Sequence, residues 1–249
     1  MSNKTIRTAS LNSRSSFKEA DKSMQKTFIH HLRLRSLNID ILCLQEVSAF
    51  LTQTHLSAEQ QDQFHSFMFL YSSPLLSKQC TIIFLSLSLV LTNMSISLDE
   101  RCIYASVCDL NYRLVCQVIN VYALSQPADR LHFYDSFLSL PFVPEAPTDP
   151  FLVISDFNMD FYAIHDHYPL AFRLRFDWLQ EHFANCFTER VPTFKSSDCC
   201  SCIDYMYGLL SIHSRLTDAL NTFLPTAWTD HSLHTTNLLP SREDIGPEA

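Results

Sequence analysis

Glycine is almost missing from this chain. Gly208 and Gly246 are the only two among 249 residues, against a usual share of about 7%. Tight turns with positive φ must therefore fall to Asn, Asp or Ser, at some cost in strain. The polar amino terminus predicts no secretory leader. The nine cysteines are odd in number and scattered, which fits a reducing compartment, nuclear or cytoplasmic, better than a disulfide scaffold. Cys199, Cys200 and Cys202 crowd together without a second ligand pair at zinc spacing, so they read as structural or incidental. An excess of positive charge is missing too: the formal net charge is −8. That argues against a generic polyanion binder, but not against a nucleic-acid enzyme whose metal site concentrates carboxylates. Lys4, Arg7, Arg14, Lys18, Lys22, Lys26, Arg33 and Arg35 make the first 35 residues basic against only Glu19 and Asp21. Most of these read as the solvated face of a helix.

The one long uncharged stretch, 79–98, carries Thr81, Ser86, Ser88, Thr92, Asn93, Ser95 and Ser97. Leu85-Ser86-Leu87-Ser88-Leu89 alternates with period two, as a half-buried strand does. The stretch predicts two strands with a turn near Thr92-Asn93, and no membrane span. No internal repeat or low-complexity tract appears, and no mid-chain break marks a boundary. The expectation is one domain over 1–239 and a linker-like tail over 240–249.

What is present is a large apolar fraction, 47%, enough for a sizeable core without covalent or metal staples. A short strand over 5–11, a loop, a helix over 22–37 and a strand over 39–45 make a βαβ opening. Residues 52–66 predict a loop with a short helix. Strand-like runs follow at 67–71, 81–91, 101–109 and 113–122, the last two flanking a hairpin at Leu110-Asn111-Tyr112. Helices are expected over 128–140, with Leu131, Tyr134, Phe137 and Leu138 on one face, and over 170–184. Strands are expected at 151–155, 203–209 and 233–239.

The chemistry gathers where apolar runs end in polar groups. Phe151-Leu152-Val153-Ile154-Ser155-Asp156-Phe157-Asn158 delivers a carboxylate and an amide from the carboxyl end of a buried strand, where ligand and catalytic groups often sit in α/β sheets. Asp156 and Asn158, at i and i+2, can point to one side. An Asp there can orient or deprotonate a water, and an Asn can donate to a phosphate oxygen; capping of backbone groups in an Asx-turn is the simpler alternative. Ile39-Asp40-Ile41-Leu42-Cys43-Leu44-Gln45-Glu46 ends the same way. Glu46 can bind a hard divalent cation such as Mg²⁺, with Gln45 alternating to the opposite face. Asp204, in Ile203-Asp204-Tyr205, needs a partner if buried. His231 suits it, because an Asp–His pair fixes the imidazole tautomer. Asp230 can reach the same place only from a turn. Asn12, ending the first strand, can support a metal-bound carboxylate or water. Tyr122, closing Val118-Ile119-Asn120-Val121-Tyr122, can place its hydroxyl on a phosphate oxygen or simply fill the core.

Taken in order, Ser10-Leu11-Asn12, Leu44-Gln45-Glu46, Ile119-Asn120-Val121-Tyr122-Ala123, Ser155-Asp156-Phe157-Asn158, Ile203-Asp204-Tyr205 and Thr229-Asp230-His231 resemble the motifs of the endonuclease/exonuclease/phosphatase family. Each piece is short, but six in the family's order span residues 10–231. The resemblance implies an α/β (α+β) four-layer sandwich, two packed mixed β-sheets flanked by helices. It implies Mg²⁺-dependent phosphodiester hydrolysis, with Mn²⁺ as an alternative ion. Glu46 would hold the metal, supported by Asn12 and assisted by Asp230. Asp156 would activate water, Asn158, Tyr122 and His231 would bind the phosphate, and Asp204 would steer His231 in stabilising the transition state. Trp228-Thr229-Asp230-His231, followed by Leu239-Pro240-Ser241-Arg242 and Ile245-Gly246-Pro247, looks like the end of the apurinic/apyrimidinic endonuclease-like domain of LINE-type retrotransposons, which precedes a reverse transcriptase. DNA is then the expected partner, with no membrane and no obligate protein partner. Relatives acting on phosphoinositides or RNA, and a catalytically inactive remnant, are the alternatives. Three departures from the family bear on the last: Ser155 stands where glycine is usual, Cys80 replaces a small residue, and Cys199-Cys200-Ser201-Cys202 replaces a Ser/Thr-rich approach.

Overall fold

A computed structural model describes residues 4–14, 37–47, 67–71, 80–99, 101–147, 150–161, 176–196, 199–226 and 229–240. The expected helix over 22–37, apart from Leu37, lies outside them, as do 52–66, most of the expected start of the helix over 170–184, and 241–249.

Two six-stranded sheets carry the fold. The first runs β13(Leu216–Phe223), β14(Ser232–Leu238), β1(Ile6–Asn12), β2(Ile41–Val47), β4(Cys80–Ser86), β3(Phe67–Tyr71). The second runs β5(Leu89–Ile96), β6(Cys102–Asp109), β7(Leu114–Tyr122), β8(Phe151–Asp156), β12(Asp204–Leu209), β9(Phe183–Asn185). Both are mixed. β1 and β2 pair in parallel in one, β7 and β8 in the other, and the remaining pairings are antiparallel. These two parallel pairs pack face to face. Their inward residues, among them Ile41, Cys43, Val118, Leu152 and Ile154, are essentially fully buried. Removal of that apolar surface from water drives the packing.

The second sheet is covered on its outer side by α1(Pro127–Leu138) and the short α2(Asp177–His182). Pro127 starts α1 where a missing N–H costs nothing, and Asp129 complements the first turn. Its buried face is Phe133, Tyr134 and Phe137 rather than the expected stripe through Leu131, which is exposed. Aromatic rings decide this: Tyr134 packs on Phe176 at 4.8 Å and donates its hydroxyl to the Phe157 carbonyl at 2.6 Å. Among the described residues, no helix is long and apolar enough to cross a membrane.

Several expectations shift. The turn in 79–98 falls at Leu87-Ser88, between β4 and β5, not at Thr92-Asn93, where the β5–β6 ladder shifts register instead. The segment after 182 is a strand, β9, so the predicted helix ends sooner. β13 was not foreseen, because its exposed edge carries no apolar run. The small hairpin β10(Phe194–Ser196) and β11(Cys199–Ser201) forms a separate two-stranded sheet. Where glycine is missing, six residues among those described take positive φ: Arg14, Asn38, Glu46, Tyr112, Asn158 and Asp218. Asn and Asp fill three of these places as expected, but Arg, Glu and Tyr fill the rest. At Tyr112 the hairpin is held by Asp109, whose carboxylate accepts the N–H groups of Asn111 and Arg113.

Candidate active site

The carboxyl ends of the four central parallel strands come together at one end of the sandwich. Asn12 ends β1, Tyr122 ends β7, Asp156 ends β8, and Glu46 lies one residue short of the end of β2. β12 runs antiparallel beside β8 and begins there with Asp204, directly opposite Asp156.

The best-defined part is a buried chain of polar groups. Asn12 Nδ2 donates to Asp156 Oδ2 at 2.7 Å, linking the two sheets. Asp204 accepts from His231 Nδ1 at 2.9–3.0 Å. Ligand atoms of Asp156, Asp204 and His231 all lie within 4.8 Å of one another. Asn158 sits in the turn after β8 at φ 52°; its N–H donates to Asp156 Oδ1 and its Nδ2 to the Ala123 carbonyl, each at 2.8 Å. Both Asn158 groups named here are thus engaged in shaping the turn.

Electrostatics separates the buried groups. Burial and the neighbouring Asp204 charge raise Asp156 to about 7, against the pull of His231, Asn12 and the Asn158 N–H. For His231, burial disfavours the cation. The charge and hydrogen bond of Asp204 outweigh it, helped by Asp156 and Asp230, and the result is about 9. His231 is therefore an imidazolium at neutral pH. His234, three residues on and fully buried, goes the other way: burial lowers it to about 4. Tyr122 is pushed well above its usual range by burial and by the charges of Glu46 and Asp156, with Arg101 opposing. The Arg101 guanidinium lies 5.0 Å from its ring centroid. Tyr122 thus keeps its proton and can donate.

Several residues without an expected role hold these groups in place. Thr193 Oγ1 accepts the N–H of both Ile203 and Asp204 at 3.0 Å, fixing the start of β12. Thr229 Oγ1 donates to the Asn12 carbonyl at 2.8 Å and accepts the His231 N–H at 3.1 Å. Phe194 packs its ring 5.0 Å from that of His231. Gln45 and Asn120 join the sheets through a 2.8 Å amide–amide bond. The available signals were spacing alone: Asn120 lies two residues before Tyr122 on a strand, and Thr229 two before His231.

The three residues expected around a metal are placed differently from one another. Glu46 is half-buried at φ 50°, and its charge reaches Tyr122. Gln45 faces the opposite sheet, bonded to Asn120, in step with Ile41 and Cys43. The Asn12 amide is taken up by Asp156 and by the Arg14 N–H, which donates to its Oδ1 at 2.8 Å. Asp230 sits in a bend with Oδ1 3.8 Å from His231 Nε2 and is ion-paired to Arg14 at 3.2 Å. Convergence within 4.8 Å is found for Asp156, Asp204 and His231. With Glu46 alongside, this carboxylate-rich set suits a hard divalent ion that accepts oxygen ligands. In this group the two carboxylates can hold such an ion while His231 keeps its proton.

No family model matches the chain, and no curated protein does. Solved structures do. An AP endonuclease from Archaeoglobus fulgidus superposes with a TM-score of 0.66 at 15% identity, covering 94% of this chain and 99% of that one. A 3′ phosphatase from Neisseria bound to a product DNA hairpin gives 0.63 at 15%, covering 94% and 99%. An endonuclease/exonuclease/phosphatase protein from Bacteroides vulgatus gives 0.67 at 13%, covering 95% and 100%. At such identities the likeness is one of architecture, and the chain has the two-sheet fold of endonuclease/exonuclease/phosphatase proteins.

Proposed function

We propose that this chain is a Mg²⁺-dependent phosphodiesterase that nicks DNA, of the kind found in LINE-type retrotransposons, with residues 1–239 as its catalytic domain. The observation that carries the reading is the buried set Asp156, Asp204 and His231, converging at the ends of the central strands with Asn12 bonded to Asp156.

Hydrolysis of a phosphodiester needs an activated water, charge compensation on the phosphoryl oxygens and help for the leaving oxygen. Asp156, raised to about 7, is matched to taking a proton near neutral pH. Asn12 and the Asn158 N–H hold its carboxylate in one orientation. His231, cationic and fixed through Nδ1 by Asp204, presents positive charge to the phosphoryl oxygens as they become more negative. Tyr122 adds a neutral donor hydroxyl, and Asn158 shapes the turn beside it. Asp230 lies 3.8 Å from His231 Nε2. A bound Mg²⁺ or Mn²⁺, held at Glu46 beside the buried carboxylates, would supply Lewis acidity and orient the ester. DNA as substrate is supported by the fold's likeness to the phosphatase captured with a DNA hairpin.

The test is a substrate panel. The purified chain is incubated in Mg²⁺ with supercoiled plasmid, single-stranded RNA and a soluble inositol phosphate, with and without chelator. Chelator-sensitive nicking that exceeds turnover of the other two is expected. Faster release of phosphate from the inositol compound would move the chain to a lipid-phosphatase role, and no turnover of any substrate would make it a remnant.

A further inference from the structure

The end of β2 is built irregularly, and the irregularity has dedicated partners. In the β2–β4 ladder Leu44 faces Ile82 and Val47 faces Cys80, so Gln45 and Glu46 together oppose the single residue Thr81. This is a β-bulge, a device that re-aims a side chain beside a site. Glu46 takes φ 50° within it, a backbone region that a non-glycine residue keeps only when its surroundings over-determine it. Those surroundings are specific. Asn120, reaching across from the opposite sheet, donates Nδ2 to the carbonyls of Leu44 at 3.0 Å and Ile82 at 2.9 Å, the last regular pair before the bulge. Gln45, inside the bulge, donates Nε2 to Asn120 Oδ1 at 2.8 Å and to Ser10 Oγ at 3.1 Å. On the other flank Ser13 Oγ donates to the carbonyls of Gln45 at 3.0 Å and Glu46 at 3.2 Å. Asn120, Gln45 and Ser13 are all fully buried.

We propose that the Gln45–Asn120 amide pair is a positioning device that clamps the β2 bulge and so holds Glu46 at the site in its left-handed conformation. The role of Glu46 toward a metal rests on the function proposed above; the clamp itself does not. A pair serving only to knit the sheets would leave β2 regular, with Gln45 and Glu46 on opposite faces. Here Asn120 bonds the two backbone carbonyls where the ladder breaks, and Glu46 just beyond takes a left-handed φ. Among the described residues Gln45 Oε1 is buried without a hydrogen-bond partner, so the pair is arranged around the bulge rather than around its own full satisfaction.

The test uses the full chain with Gln45→Met and Asn120→Leu, both close in size to the originals. Gln45→Met leaves Asn120 able to bond both carbonyls, so it decides the matter if Asn120→Leu fails to fold. Two properties are read. The backbone chemical shifts of Glu46 report the sign of its φ without metal or substrate. Mn²⁺ affinity by calorimetry reports the outcome at the site. In the folded variants the Glu46 shifts should leave left-handed values, and Mn²⁺ affinity should fall by roughly tenfold or more, the usual scale for groups that orient a ligand. In a Glu46→Ala background, Gln45→Met should weaken Mn²⁺ no further. Glu46 shifts unchanged in Gln45→Met, with only a lower melting temperature, would overturn the inference. A parent that binds no Mn²⁺ would remove the metal role of Glu46 while the Glu46 shifts still decide the clamp.

Discussion

The two flanks of the site are held by opposite means. On the β8–β12 flank, regular register does the work. Asp156 and Asp204 are directly paired residues of neighbouring strands, and His231 is fixed to Asp204 by its Nδ1. On the β2 flank, regularity is broken. Glu46 sits in a bulge at positive φ and is kept there by amides and a hydroxyl from other strands. One flank places charge by alternation, which any strand provides. The other places it by strain, which must be opposed by the rest of the fold.

The largest expected effect tests the regular flank. Asp204→Asn leaves the shape intact but removes the charge that makes His231 an imidazolium and fixes its tautomer. Mg²⁺-dependent plasmid nicking should fall by roughly 10³- to 10⁴-fold, the scale seen when a carboxylate orienting a catalytic histidine is neutralised. A drop of less than tenfold would mean that Asp204 is only structural.

The strained flank predicts a trade of activity for stability. Glu46→Gly relieves a left-handed residue whose strain is on the order of 1 kcal/mol or more. Melting should rise by about 2–4 °C for each kcal/mol gained, while nicking falls by at least about tenfold through weaker metal binding. A destabilised variant would show that Glu46 contributes contacts exceeding its strain.

A third comparison is made with pH in metal-free buffer. His231 is raised in the folded chain from 6.5 to about 9, so folding favours its protonated form. Its stabilising contribution is full below pH 6.5 and lost as pH rises through about 9. Asp156 is raised as well, from 3.8 to about 7, so its contribution also fades with rising pH, and earlier. The melting temperature should therefore decline between pH 6.5 and 9, and Asp204→Asn should flatten that decline. An equal decline in the variant would assign it to other groups.

The smallest effect concerns Ser155, whose neighbour Asp156 points into the site. Its hydroxyl is buried and has no hydrogen-bond partner among the described residues. Ser155→Ala should stabilise the chain by about 1 kcal/mol, read as a higher urea midpoint with activity unchanged.

The same contrast explains what could be read from the sequence. β8 and β12 announce themselves as apolar runs ending or beginning at Asp, and burial of Asp204 calls for a partner such as His231. The parallel pair β1–β2 follows from the strand–loop–helix–strand reading of the opening. The left-handed conformation of Glu46 was not legible, because a one-residue bulge leaves the residue pattern unchanged. The β4–β5 turn was misplaced for a related reason: alternation continues in phase through Leu87-Ser88, and no glycine marks the reversal. β13 hid because an edge strand with exposed Leu220 and Phe223 has no buried face to impose a pattern.

The central claim is that Asp156, Asp204 and His231 act together on a phosphodiester. Its most direct test is the rate at which supercoiled plasmid is converted to the nicked form in Mg²⁺ by the parent chain and by Asp156→Ala at equal concentration. The parent should nick in a chelator-sensitive way and the variant should be slower by roughly 10³-fold or more. Equal rates for the two proteins, or no nicking by the parent, would contradict the claim.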